Sequence, residues 1–314
     1  MNKLAGWILA GWTSAGFLAA QEIAPAPRFP ALTSKAAWKL LPREEPPLPA
    51  WALTLAAALP RTTGAMLDLD YLHRANNPLG NALAAKVRYV AADVGQCAYA
   101  RAYALADLRR AGVEEHDLRL LTKDFFDLPH REGAALRFAR KMTAAPQTIT
   151  DAEVAELVHL HGPAQVVALV HTLAFANFHQ RIVQALGAAV EPRGPLPPLD
   201  PRLAGPELKK IKGQDRPPWE TMPEPDGTTK NPEKPGWSDL AFADLEKALA
   251  SARTRKPRLP LLSQEQLRHL PPAVQGHALK VFWSNLSLGH QPQLTSAWFT
   301  CMTAFQEEAR MPKL

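Results

Sequence analysis

Residues 96–113, QCAYARAYALADLRRAGV, carry the clearest indication of secondary structure in this chain. Alanine and leucine dominate the stretch, no proline interrupts it, and two arginines followed by a glycine close it, which is the usual order at the end of an α-helix. Cys97 stands at the start of this helix, with Ala100 three positions on and Tyr103 three positions after that. The pattern raises the question of what a lone cysteine does there.

Similar alanine- and leucine-rich stretches recur along the chain without alternating β-branched runs, so the sequence predicts an all-α fold. With 314 residues, of which 46% are hydrophobic, the chain can bury one large core or two modest ones. Its formal net charge of +6 comes from dispersed lysines and arginines. Because no dense basic face is present, the composition argues against nucleic acid as a partner.

The first twenty residues have the composition of a secretory signal peptide. One cation, Lys3, precedes an uncharged run over residues 4–21 that ends in small residues before Glu22. We therefore expect export, to the periplasm or outside the cell, with residues 1–20 removed. An uncleaved membrane anchor formed by residues 4–21 is the alternative, and a membrane is an expected partner only in that case.

Two proline-rich segments divide the rest of the chain. The first, over residues 21–49, separates the leader from a helical domain predicted over residues 50–190. The second, over residues 191–236, holds twelve of the thirty prolines and predicts a linker or an extended strap over a neighbouring surface. A shorter helical tail is predicted over residues 237–314.

Two helix starts in the central domain are marked by their capping residues. Asp127 before Pro129 predicts an N-cap for a helix that runs through Met142. Thr150 with Glu153 three positions later has the spacing of a capping box. The helix capped by Thr150 is expected to end at His161-Gly162, and a longer helix is expected from Pro163 to about Leu186, with Gly187 beyond its end.

A weak internal repeat connects the central domain with the tail. WALTLAAALPRTTGAML at residues 51–67 aligns with WSNLSLGHQPQLTSAWF at residues 283–299, at a constant offset of 232. The equivalent pairs are Trp51 and Trp283, Pro60 and Pro292, Thr63 and Thr295, Ala65 and Ala297, Met66 and Trp298, and Leu67 and Phe299. If the repeat is real rather than chance agreement, the tail is the start of a second copy of the domain. The counterpart of Cys97 would then fall at position 97 + 232 = 329, past Leu314.

Residues 83–187 resemble the carboxymuconolactone decarboxylase and alkylhydroperoxidase D family, whose redox members carry a glutamate and then Cys-x-x-Cys-x-x-His on one helix. Besides the motif at Cys97, the resemblance rests on three downstream stretches in the same order: REGAALRFARKMT (131–143), TITDAEVAELVHLHG (148–162) and VVALVHTLAFANFHQRIVQALG (166–187). It implies an alkylhydroperoxidase D-like helical bundle. It also implies a homo-oligomer, a trimer or a hexamer.

The departures from the family pattern fall on the positions that carry the chemistry. Cys97 matches the first cysteine, but Ala100 replaces the second, Tyr103 replaces the histidine, and Ala85 stands where the glutamate is expected. By the resemblance, the missing cysteine at Ala100 is the attacking one and Cys97 would be its resolving partner. Peroxide reduction needs an attacking thiolate, a proton donor and a resolving thiol, so the site is interpreted as degenerate.

The remaining candidates for catalysis are Cys97, Tyr103 and Arg101. Arg101 is the nearest cation in sequence that could lower the pKa of the thiol, whereas Asp93, one turn before Cys97, would raise it. Tyrosine, with an ordinary pKa of about 10, is a poor replacement for a histidine in proton transfer at neutral pH. The plainer interpretation of Cys97 is a small buried apolar residue.

No cofactor or metal is expected from the remaining residues. Two cysteines are too few for a four-ligand zinc site or a disulfide framework. Pairing of Cys97 with Cys301 in an oxidising compartment stays open. His171 and His179 are eight positions apart, which is not the spacing of a two-histidine metal pair.

Two functions from different classes follow from these features. The first is an exported module of this family with a degenerate redox site, serving as a scaffold, an assembly surface or a ligand-binding module. The alternative is a thiol-dependent peroxidase that uses Cys97 alone, with an external thiol or Cys301 resolving it.

Overall fold

The computed structural model describes residues 28–41, 47–200, 241–269 and 282–309. The predicted leader and most of the second proline-rich segment lie outside the described residues. Within the described ranges every regular element is a helix, which confirms the all-α prediction.

The helices are, in chain order, α1 (Ser34–Leu40), α2 (Ala50–Ala56), α3 (Pro60–Arg74), α4 (Asn81–Val94), α5 (Ala98–Arg110), α6 (Glu115–Leu120), α7 (His130–Ala144), a 3₁₀ turn (Pro146–Thr148), α8 (Asp151–His161), α9 (Pro163–Leu186), α10 (Phe242–Thr254), α11 (Gln264–Arg268), α12 (Phe282–His290) and α13 (Pro292–Ala309).

Most helix ends agree with the capping signals. The Thr150 hydroxyl accepts a hydrogen bond from the Glu153 amide, and the Glu153 carboxylate accepts one from the Thr150 amide at 2.7 Å, so the capping box is confirmed. The prediction for Asp127 was wrong. Pro129 occupies the N-cap of α7, and the Asp127 carboxylate lies 3.7 Å from Lys123. The extended backbone of Pro129 delays the first helical residue to His130.

The predicted linker over residues 21–49 contains a helix. Thr33 caps α1 by accepting a hydrogen bond from the Ala36 amide at 3.2 Å. Ala37, Trp38 and Leu41 are buried in the core. Burial of one apolar helix face outweighs the proline-rich composition of the flanking sequence, because short helices are stabilised mainly by packing.

Two apolar clusters form the core. The first cluster contains residues from α1, α2, α3, α9 and α13. Its members include Trp51, Met66, Leu69 and Cys301. The second is built mainly from α4, α6, α7, α8 and the first half of α9. Helix α9 therefore contributes to both clusters, and α5 begins where they meet.

Residues 188–200, which we call the strap, follow α9 without regular secondary structure. Gly187 ends α9 in the left-handed conformation, with φ of 65°. The backbone carbonyl of Leu196 accepts a hydrogen bond from Arg74 at 2.7 Å, and that of Pro195 accepts one from Arg110 at 2.6 Å. This part of the second proline-rich segment is therefore attached to the domain, as the strap interpretation predicts.

The described part of the tail contains four helices, α10 to α13, and α13 packs along α3. Helix α10, by contrast, exposes large apolar side chains of the kind that helices normally bury, including Phe242 and Leu249. Among the described residues, no single helix is long and apolar enough to cross a membrane; α8 and α9 satisfy that test only as a pair, and they are bent by 115°.

Candidate functional site

Cys97 occupies the N-cap position of α5, immediately after Gln96, whose φ is +48°. Its side chain is buried in the first apolar cluster, and its thiol donates to the carbonyl of Gln180 at 3.9 Å. Burial raises the pKa of the Cys97 thiol, and smaller lowering effects come from nearby backbone amides and Arg101. The thiol is therefore neutral at physiological pH, which is the opposite of what a nucleophile needs.

Arg101 forms an ion pair with Asp93 at 3.2 Å, and both side chains are about half exposed, at 43% and 44%. The guanidinium therefore pairs with the Asp93 carboxylate. It also lowers the pKa of the Cys97 thiol slightly. Its effect on the pKa of the thiol is smaller than that of burial. Arg101 is in the expected place but does not activate the cysteine.

Ala85 and Ala100 bring no reactive group to the site. Ala85 is fully buried in the second apolar cluster, and Ala100 lines a small internal cavity beside α5. The structure therefore places apolar methyl groups at the two positions where the resemblance expects a glutamate and a cysteine.

The Tyr103 hydroxyl is hydrogen-bonded to a carboxylate and is therefore not free for proton transfer. It donates to Glu191 Oε2 at 2.7 Å, and the Tyr99 hydroxyl donates to Glu191 Oε1 at 3.1 Å. The Ala50 amide donates to the same Oε1 at 2.7 Å. Burial, with a further contribution from Glu191, raises the pKa of Tyr103 well above its ordinary value. Both phenols therefore stay protonated and act as donors that hold the strap.

A buried network of charges lies next to the two tyrosines. Asp107, at 6% exposure, accepts hydrogen bonds from Arg74 at 2.8 and 3.0 Å, from Arg88 at 3.0 Å and from Arg110 at 2.8 Å. Arg74 also donates to Asp70 at 2.9 Å. Burial alone would raise the pKa of Asp107, but the hydrogen bonds and charges of Arg74 and Arg88 hold it below its usual range.

The guanidinium of Arg74 connects this network to the tyrosines. It lies 4.9 Å from the centre of the Tyr103 ring, in a cation–π contact, and Tyr103 stacks on Tyr99 with ring centres 4.6 Å apart. Asp70, His73 and Arg74 form a cluster of polar side chains on α3. The tertiary structure turns that cluster inward and joins it to α4, α5 and the strap.

The cavity beside Ala100 has a volume of about 30 Å³, which is room for roughly two water molecules. Three polar atoms of its lining residues make no hydrogen bond among the described residues: Arg88 Nε, His179 Nε2 and Gln180 Oε1. Because unpaired buried polar atoms are costly, ordered water is the natural occupant of this space. A space of this size gives an organic substrate no access.

The two histidines of α9 are neutral, with His179 buried and His171 half-buried. Burial lowers the pKa of His171 and of His179 to about 4. His73, which stacks on Phe175 with ring centres 4.4 Å apart, has its pKa lowered by burial as well. No group of three or more histidine, cysteine, aspartate or glutamate side chains suited to a metal ion occurs in the described parts of the chain.

Cys97 and Cys301 are both free thiols, and both are buried in the first apolar cluster. Burial raises the pKa of Cys301 to about 12. The structure therefore contains two protonated thiols and no disulfide between them.

Sequence reasoning missed Arg88, Glu191 and the central role of Asp107. Arg88 lies on α4, Asp107 on α5 and Glu191 in the strap, so no local spacing connects them. The sequence offered one signal. Lys86 and Arg88 are charged residues within a largely apolar helix, α4, and both are buried.

A comparison of the chain with protein-family models finds no match. A comparison with curated proteins finds no similar sequence either.

Proposed function

We propose that this chain is an exported alkylhydroperoxidase D-like module without peroxidase activity, serving as a scaffold, assembly or ligand-binding domain. The observation that carries the proposal is the state of Cys97, a buried thiol with a raised pKa. The residues around it support the same conclusion, because Tyr103 is engaged by Glu191 and Ala100 offers no second thiol.

The charged network takes the place of a reaction centre in this proposal. Its members bind one another and the strap, so their interactions hold helices together rather than facing an open cleft. Preservation of the helices together with loss of the thiol chemistry is the combination expected of a module retained for its shape.

The test measures peroxide consumption by the full chain supplied with dithiothreitol, for the wild type and for Cys97→Ala. We expect the two rates to agree within a factor of about two, because burial raises the pKa of the Cys97 thiol and disfavours the thiolate that would attack peroxide. Cys301→Ala is the matched control, since it removes the other buried thiol. A rate abolished by Cys97→Ala alone would establish the thiol peroxidase alternative instead.

The resemblance to the family is tested separately by Ala100→Cys. This variant restores the Cys-x-x-Cys spacing at the start of α5, where such pairs form disulfides readily. We expect mild oxidant to join Cys97 to the introduced thiol in a disulfide, detected as a mass loss of about two hydrogens with no free thiol at either position. Persistence of both thiols would count against the resemblance.

A further inference from the structure

The internal repeat is present in the structure as two helical hairpins. Trp51 and Trp283 are each the second residue of a helix, α2 and α12, and Pro60 and Pro292 each begin the helix that follows. Thr63 Oγ1 donates to the Leu59 carbonyl at 2.8 Å, and Thr295 Oγ1 donates to the Gln291 carbonyl at 2.7 Å. The two hydrogen bonds join residues related by the offset of 232, and the two tryptophans differ in that Trp51 is buried whereas Trp283 is 55% exposed.

The two hairpins pack on each other through α3 and α13, which run in opposite directions. The carboxylate of Glu308, near the end of α13, accepts hydrogen bonds from the Arg61 amide at 2.8 Å and from the Thr62 amide and hydroxyl at 2.7 Å, at the start of α3. Arg61 also forms an ion pair with Glu307 at 2.6 Å. One end of the interface is therefore fixed by buried polar contacts.

The register of α3 against α13 places equivalent residues of the two hairpins opposite each other at the centre of this interface. Leu69 lies seven residues after Thr62 on α3, and Cys301 lies seven residues before Glu308 on α13. Seven residues are about two helical turns, so the same faces meet there. Leu69 and Cys301 are both buried in the first apolar cluster, and 301 − 69 = 232. Equivalent positions that face each other in this way are what a local two-fold axis produces.

We propose that α3 is a homotypic pairing surface, on which α13 stands in for α3 of a second copy of this chain. Displacing α13 then converts the chain into a homodimer paired through α3. The second copy's α3 would bring a threonine to His171, where Thr295 Oγ1 now lies 3.3 Å from Nε2, and a methionine to Phe178, where Trp298 now packs at 5.2 Å between ring centres. This inference rests on the proposed assembly role. It is tested by measuring the molecular mass, which does not depend on peroxide turnover.

The first test displaces α13 in the full chain with Cys301→Asp and Glu308→Ala. Light scattering after size-exclusion chromatography should show the mass doubling relative to the wild type at the same concentration, with helical circular dichroism retained. Adding Leu69→Asp places a charge on the α3 face and should return the mass to that of one chain. A folded monomer for the first variant, or a dimer insensitive to Leu69→Asp, would overturn the proposal.

The second test keeps the fold closer to the wild type by using disulfide trapping in a Cys97→Ala background. Leu69→Cys should oxidise with Cys301 within one chain, which checks the register of α3 and α13. When Cys301→Ala and Glu308→Ala are added to release α13 from α3, Leu69→Cys should form a disulfide between two chains, seen as a dimer on a non-reducing gel. Leu67→Cys, on another face of α3, is the matched control. Equal cross-linking of the two cysteine variants, or none at Leu69→Cys, would contradict the inference.

Discussion

Asp107 is the residue on which the buried charges converge. Its two carboxylate oxygens accept from Arg74, Arg88 and Arg110, and its side chain is only 4% exposed. Such a group is favourable only while all of its partners are present, because an uncompensated charge in the interior carries a large desolvation cost. The network therefore concentrates stability in one side chain rather than distributing it.

Asp107→Asn should lower the free energy of unfolding by about 3–5 kcal/mol, because it removes the carboxylate that pairs with Arg88 and one of the two carboxylates that pair with Arg74. Urea denaturation at neutral pH measures the effect. Asp93→Asn is the matched control, since it breaks the exposed pair with Arg101 and should cost less than about 1 kcal/mol. Equal losses for the two variants would show that the buried network contributes nothing particular.

At the scale of elements, Glu191 is the contact that ties the strap to α2 and α5 at the same time. Three donors from two helices meet its carboxylate, and none of them belongs to the strap itself. The proline-rich composition predicted an extended segment, but the position of that segment depends on these few polar contacts together with the hydrogen bonds from Arg74 and Arg110.

Glu191→Ala should lower the free energy of unfolding by about 1–3 kcal/mol, since it leaves the Tyr99 and Tyr103 hydroxyls without an acceptor. Hydrogen exchange at the Ala50 amide should also accelerate, because that amide loses its partner. Glu115→Ala, which removes an exposed pair with Arg109, is the control and should change neither quantity measurably. Unchanged exchange at Ala50 would mean that the strap is held elsewhere.

For the molecule as a whole, the buried histidines link stability to pH. The native state keeps His73, His171 and His179 neutral, with the pKa of the last two lowered to about 4. In the unfolded chain their pKa returns to about 6.5, so below that pH the unfolded state binds more protons than the native state. Their contribution to stability is complete above about pH 6.5 and is lost as the pH falls towards 4.

We therefore expect the free energy of unfolding to decrease between pH 6.5 and pH 5 by about 1.5 kcal/mol for each of His171 and His179, because the slope approaches about 1.4 kcal/mol per pH unit and proton as the unfolded histidine becomes protonated. His73 acts in the same direction. Urea denaturation across this range measures the slope. His179→Gln should make the slope shallower, because it removes one of the groups whose pKa is lowered by burial. A slope that His179→Gln does not alter would contradict this account.

The sequence by itself determined the helical class, the capping box at Thr150, the ends of α5 and α9 and the repeat between residues 51–67 and 283–299. These features depend on neighbours within a few positions, or on a spacing that can be counted along the chain. The absence of a second thiol at this position is also evident from the sequence, because Ala100 carries only a methyl group.

Only the tertiary structure decided which polar residues share the interior and which helix covers α3. Asp107, Arg88 and Glu191 come from α5, α4 and the strap, and their pairing depends on how three elements pack rather than on any local pattern. Burial then set the protonation of Cys97, Tyr103 and the histidines, since the desolvation that shifts a pKa exists only in the folded chain. Tertiary packing also explains why α1 forms inside a proline-rich segment, because the burial of Trp38 outweighs the local composition.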